Sequence, residues 1–183
     1  MRHIAAFILI FIFALGASVV SIGNPTTIAR AQDATPDASC PTTSEEENES
    51  IALRWHEEAI NEGNLAVIDE IVAPNVLHHA GTFPDGVGPE AVKVVLGALL
   101  AGFPDVQHTI EQVITSDGFV VTRWQAEGTH EGEFQGYAPT GKRVTWTGIN
   151  IFRIECGRIA EEWSEVDGLG RLKQLGVLAT PTP

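Results

Sequence analysis

The adjacent imidazoles His78 and His79 and the acid-rich run Glu161-Glu162-Trp163-Ser164-Glu165 are the side chains best suited to move a proton in this chain. A histidine titrates near neutral pH, and a carboxylate shielded from water becomes a usable base as its pKa rises. Together with donors near a developing oxyanion, such groups support removal of a proton from carbon beside a carbonyl. Neighbouring residues on a strand point to opposite faces, so one of the two histidines must face inward. His79 is taken as the candidate base and His78 as a wall residue touching a ligand. A plainer reading makes either one a hydrogen-bonded wall group. Glu162 is the candidate pocket carboxylate, against the alternative that it turns to water or to a neighbouring base. His108 and His130 stand at no recognisable metal-ligand spacing, so no metal centre is expected.

These residues need elements to position them. Ser44 followed by Glu47 makes a capping box, and Ile51, Trp55 and Ala59 share one helical face until Gly63. Asn64 is placed to cap a short helix through Leu65, Ile68 and Ile71, stopped by Pro74. A short strand is expected at Val76–His79. Gly88-Pro89 opens a third helix, with Val92, Val95, Leu96 and Leu99 inward and Gly102 behind it. Beyond Pro104 the apolar period changes to two: Val106–Thr115 and Phe119–Thr129 pair across Ser116-Asp117-Gly118, and Val144–Ile154 and Arg158–Val166 across Glu155-Cys156-Gly157. A last helix covers Leu169–Leu175. Helices followed by a run of strands predict an α+β fold.

The strand period also selects neighbours. Glu162, Ser164 and Val166 share one face, and Trp146, Gly148, Asn150 and Phe152 share the matching face of the preceding strand. Glu165 and Asp167 point the other way unless a bulge intervenes, and Asp167 can also cap the last helix. Trp55, Trp124, Trp146 and Trp163, with Phe134 and Tyr137, supply the aromatic wall usual in small-molecule sites, although each alone reads as core. Pro139-Thr140-Gly141 is a turn signal and lacks the spacing of a phosphate loop.

The 183 residues carry 11 Lys and Arg against 24 Asp and Glu, a net charge of −13. Nucleic acid and anionic lipid surfaces are therefore poor partners. Residues 1–31 resemble a secretory leader: a basic start at Arg2, an uncharged apolar run from Ile4 to about Ile22, and a small-x-small site at Ala29-Arg30-Ala31. Cleavage there would remove two bases and no acid, leaving 9 against 24 and a net charge of −15. The apolar run is also long enough to remain as a membrane anchor. Either outcome places the protein outside the cytoplasm, where disulfides persist, and Cys40 with Cys156 is the expected bridge. Residues 32–43 and 179–183, rich in Ala, Thr and Pro, are expected as a linker and a tail, leaving 44–178 as the folded domain.

Several segments, in order, resemble the successive signatures of SnoaL-like polyketide and ester cyclases: Asn61-Glu62-Gly63-Asn64-Leu65, Phe103-Pro104-Asp105, Gly128-Thr129-His130-Glu131-Gly132, Pro139-Thr140-Gly141-Lys142, Thr145-Trp146-Thr147-Gly148, Gly157-Arg158-Ile159-Ala160-Glu161-Glu162-Trp163 and Gln174-Leu175-Gly176. The resemblance covers nearly all of Ser44 to Gly176. It implies the nuclear-transport-factor-two-like cone, a curved antiparallel sheet wrapped around the N-terminal helices with an internal pocket, and association as a homodimer or higher homo-oligomer. It further implies a small apolar or aromatic ligand and acid/base catalysis without metal or organic cofactor, centred on an aspartate. Counting from the Gly157-Arg158-Ile159 turn places that aspartate at Ser164, and a family histidine falls at Asn150. His78-His79 lies where the family often has Asp-His. Two altered polar positions prevent a direct transfer of the cyclase mechanism. The expectation is a pocket protein with Trp124, Trp146, Asn150, Ser164 and His78 against the ligand, acting as a cofactor-free enzyme on an apolar carbonyl compound or ester, as a non-catalytic binding module, or through assembly by its sheet face.

Overall fold

The computed structural model describes residue 40 and residues 42–178. The expected leader or anchor at 1–31, the tail at 179–183 and the linker apart from Cys40, Thr42 and Thr43 lie outside the described residues. The elements run α1 (Glu45–Arg54) continuing as a π-helix (Trp55–Asn61), a 3-10 turn (Leu65–Val67), α2 (Ile68–Ile71), β1 (Val72–His79), β2 (Gly86–Val87), α3 (Pro89–Gly102), β3 (Gln107–Ser116), β4 (Phe119–Thr129), β5 (Arg143–Glu155), β6 (Arg158–Val166) and α4 (Gly168–Leu175). None of the described helices is long and apolar enough to cross a membrane.

The expected capping box starts α1. Ser44 Oγ accepts from Glu47 N at 3.2 Å, and the Glu47 carboxylate accepts from Ser44 N at 2.8 Å. What the 3.6-residue period did not predict is the wider π turn, which turns Trp55, His56, Ala59 and Ile60 all toward the core. Asn64 makes no side-chain cap, so the next segment enters as a 3-10 turn. Pro74 does not stop this helix; it lies inside β1, which begins earlier than expected at Val72. Proline offers no N–H, and the pairing of β1 shifts register between Val72 and Leu77, where Pro74 sits.

The six strands follow the order β2-β1-β6-β5-β4-β3. The sheet is mixed rather than wholly antiparallel as expected, because β1 runs parallel to β6. A parallel neighbour needs a long connection, and α3 with the four strands β2 to β5 supplies it. Both tight hairpins have two left-handed residues, Asp117-Gly118 (φ 51° and 78°) and Cys156-Gly157 (φ 54° and 71°), matching the twist of the strands they join. Along β5 the alternation is strict: Val144, Trp146, Gly148, Asn150, Phe152 and Ile154 are buried against the helices. The opposite face carries ion pairs such as Arg123–Glu111 and Arg153–Glu161, interspersed with exposed Ile114 and Ile149.

α4 is fastened at both ends. Asp167 Oδ1 accepts from Gly170 N at 2.7 Å, and the left-handed Gly176 closes the helix. The Gln174 amide exchanges two hydrogen bonds with the Thr145 backbone, docking α4 on β5. Cys40 and Cys156 form the expected disulfide, which spans 116 residues and ties Cys40 to the β5–β6 turn.

Candidate functional site

The inward face of β5 and β6 carries a chain of buried polar groups. An indole N–H can only donate, and Trp124 Nε1 donates to Asn150 Oδ1 at 2.5 Å. That contact fixes the Asn150 amide, so its Nδ2 must donate toward Glu162 Oε1. The second carboxylate oxygen, Glu162 Oε2, lies 2.5 Å from His78 Nδ1. With both oxygens acting as acceptors, the network places a proton on His78 Nδ1. Glu162 is 0% exposed and His78 2%. His78 Nε2 is buried without a hydrogen-bond partner, and His78 belongs to the wall of a cavity of about 70 Å³.

Strand geometry explains each placement. His78 pairs with Glu162 across the parallel β1–β6 seam, while Asn150 faces Ser164 and Phe152 faces Glu162 across β5–β6. Between these strands the register shifts where Ile154 meets Ile159, leaving Ala160 as an extra residue. Gly148 makes room for the indole: a Cβ there would lie 2.8 Å from Glu165 O and closer still to the Trp124 ring.

Two further groups aim into the same cavity. His108 stacks on Trp124 at 4.1 Å between centroids, and its Nδ1 lies 3.1 Å from His56 Nδ1, whose Nε2 reaches Thr122 Oγ1 at 3.0 Å. Burial lowers the pKa of His108 to about 3, and burial with the neighbouring His108 holds His56 well below its ordinary value. Both rings are thus neutral, and one must donate to the other while His108 Nε2 stays unpartnered. Asn61 clamps this strand by bonding both backbone groups of His108. Arg171, on α4, lies over the rings of Phe134 (4.7 Å) and Trp146 (5.1 Å), with its Nε buried and unpartnered.

A sequence model of the SnoaL-like polyketide cyclases matches residues 50–175. The chain belongs to the SnoaL-like polyketide cyclase family. Among its relatives, the nogalonic acid methyl ester cyclase of Streptomyces nogalater is 31% identical over 121 residues, covering 64% of this chain and 90% of that protein. IdmH of Streptomyces antibioticus is similar in structure, with a TM-score of 0.62 at 33% identity over 70% of this chain and 98% of IdmH. A solved structure from Jannaschia sp. CCS1 shares the fold, with a TM-score of 0.70 at 22% identity over 76% of this chain and 98% of its own. These SnoaL-like neighbours have the nuclear-transport-factor-two-like fold, and the α+β architecture described above is that fold.

Within this SnoaL-like pocket, His78, Trp124, Trp146, Asn150 and Ser164 all reach the cavity wall. Glu162 stands behind His78 rather than in the wall itself. His79 takes the opposite orientation from the one expected. Val76 and His78 are the inward positions of β1, so His79 turns out, stacks on Trp163 at 5.5 Å and bonds Asp85 and Glu161, each at 3.0 Å. Burial opposes its charge, but these two carboxylates prevail and raise its pKa. Trp163 and Tyr137 are also absent from the wall, whereas Trp55 and Phe134 belong to it. Sequence reasoning overlooked His108 and Arg171 as pocket groups. Alternation from Val106 would have turned His108 inward, and helical spacing places Arg171 with the buried Leu175.

Proposed function

We propose that this protein is a cofactor-free acid/base enzyme of the cyclase type, with His78 as the base and Glu162 as the residue that positions it. The reading rests on one observation: a buried imidazole in the wall of the cavity has an unpartnered Nε2 while its Nδ1 is held by a fully buried carboxylate. Such a pair works as an oriented base whose imidazolium form is stabilised by the carboxylate behind it. His78 Nε2 takes a proton from the carbon beside an ester or ketone carbonyl, and the bonding pair becomes the enolate. That carbon then attacks a second carbonyl of the same molecule, forming a carbon–carbon bond. The resulting alkoxide recovers the proton from His78, so the product is an isomer of the substrate and no oxidant or reductant is consumed. The relative from Streptomyces nogalater, named for a methyl ester cyclisation, supports this class of substrate. The cavity supports a small reacting portion, since about 70 Å³ is room for only a few water molecules at roughly 10–15 Å³ each. Its wall, with Trp55, Trp124, Trp146 and Phe134, favours an apolar or aromatic body.

The pair replaces the expected aspartate by a different route. Ser164 occupies the position that the resemblance assigns to the acid, and the proton-handling task passes to the neighbouring strand. Incubation with nogalonic acid methyl ester and with smaller β-keto esters that carry a further ketone tests the proposal. Wild type is expected to form an isomer of unchanged mass, His78→Gln to lose about 10²–10⁴ in rate, and His79→Ala to stay within a few-fold of wild type. Equal rates for His78→Gln and wild type would contradict the assignment, and tight binding without any turnover by wild type would make this a binding module instead.

A further inference from the structure

The guanidinium of Arg171 is a buried cation that no carboxylate bonds among the described residues. Only 3% of the residue is exposed, and it forms no ion pair among the described residues. Its Nη2 donates to the neutral amide of Gln135 at 3.3 Å, and its Nε has no partner at all. Three aromatic rings, Phe103, Phe134 and Trp146, lie within 5.9 Å of its central carbon. Cation–π contacts of this kind stabilise the charge only partly, and a buried cation ordinarily has an anion beside it. Asp167, which caps the same helix, acts on Arg171 from a distance but does not bond it. Burial lowers the pKa of Arg171 to about 10, which still leaves it charged at neutral pH.

Arg171 lines the same cavity as His78 and His108. We infer that the cavity holds an anionic oxygen of its ligand against Arg171 Nε, so that it prefers acidic small molecules over their neutral analogues. The chemistry is that of an aromatic or conjugated carboxylate. Its ring would lie against the aromatic side chains of the wall, and its charge would meet a guanidinium that forms no ion pair among the described residues. A planar guanidinium with an unpartnered Nε–H suits an oxyanion better than a neutral carbonyl, since opposite charges in a low-dielectric cavity add Coulomb attraction to the hydrogen bond. The inference shares with the proposed function only the premise that this cavity is the ligand site.

Phenylacetate and methyl phenylacetate differ by one charge, and their affinities can be compared by titration of the full chain followed through its amide NMR shifts. Wild type is expected to bind phenylacetate at least tenfold more tightly than the ester, with the preference lost in Arg171→Met and reduced in Arg171→Lys. Equal affinity of wild type for the two ligands would overturn the inference, and so would a folded Arg171→Met that keeps the preference. If Arg171→Met does not fold, the wild-type comparison and Arg171→Lys decide the matter. His78→Gln is expected to keep the charge preference, so a wrong base assignment and a wrong anion site give different results.

Discussion

Glu162 and His78, 84 residues apart in sequence, meet at 2.5 Å across the single parallel seam of the sheet. The contact exists because β1 enters beside β6 in the same direction and sets His78 opposite Glu162 in register. An antiparallel β1 would have presented a different register, so the topology itself builds the pair. Behind it, Asn150 and Trp124 leave neither carboxylate oxygen free to take another orientation.

Asn150 is therefore expected to matter for stability as well as for orientation. Replacing it with leucine strands the Trp124 indole N–H and one oxygen of Glu162 in a buried environment. At about 1–3 kcal/mol for each of the two unsatisfied groups, Asn150→Leu should lose roughly 2–6 kcal/mol in urea unfolding. A loss below about 0.5 kcal/mol would show that the network is not formed.

The buried pair His56 and His108 contributes to the acid limit of the fold. The pKa values of His56 and His108 lie below the ordinary value of about 6.5, so in mildly acidic solution the unfolded chain binds protons that the folded chain refuses. Their stabilising effect is present above about pH 6.5 and is lost as the pH falls, at up to about 1.4 kcal/mol per unit for each ring. His79 has the opposite sign: its raised pKa stabilises below about pH 6.5 and the benefit fades as pH rises, but its partial exposure screens it. Urea midpoints are thus expected to fall between pH 7 and pH 5 in wild type and to fall less steeply in a His56→Gln, His108→Gln double variant, where His130, its pKa lowered by burial and by Arg171, keeps part of the dependence.

The Cys40–Cys156 bridge closes a long loop, and a crosslink of this span restricts the unfolded chain. Reduction, or a Cys40→Ser, Cys156→Ser double variant, should lower stability by about 2–5 kcal/mol, read as a fall in Tm without loss of far-ultraviolet helix and strand signal. An unchanged Tm under reducing conditions would contradict this. The bridge is consistent with an oxidising compartment.

Much of this fold is legible in the sequence where a local rule governs the outcome. The capping box of α1, Pro89 at the start of α3, the two hairpin turns and the strict alternation of β5 each follow from residues within a short window. The inward face of β5 and β6 was legible for the same reason, which is how Glu162, Ser164 and Asn150 came together. What the sequence hides depends on long-range pairing. The parity of the short β1 cannot be read from two adjacent histidines, and it is set by Val76 and the parallel β6. The π turn that buries His56, and with it the partner of His108, arises from packing rather than from periodicity. Arg171 is hidden too, because a charged side chain on a short C-terminal helix ordinarily points to water.

The most direct measurement of the central claim is exchange of the α-protons of methyl phenylacetate for deuterium, followed by NMR in neutral D₂O. This observes proton removal alone, whether or not a ring later closes. The account predicts that wild type and His79→Ala accelerate the exchange above the buffer rate and that His78→Gln does not. Exchange by His78→Gln at the wild-type rate, or no acceleration by any of the three proteins, would contradict it.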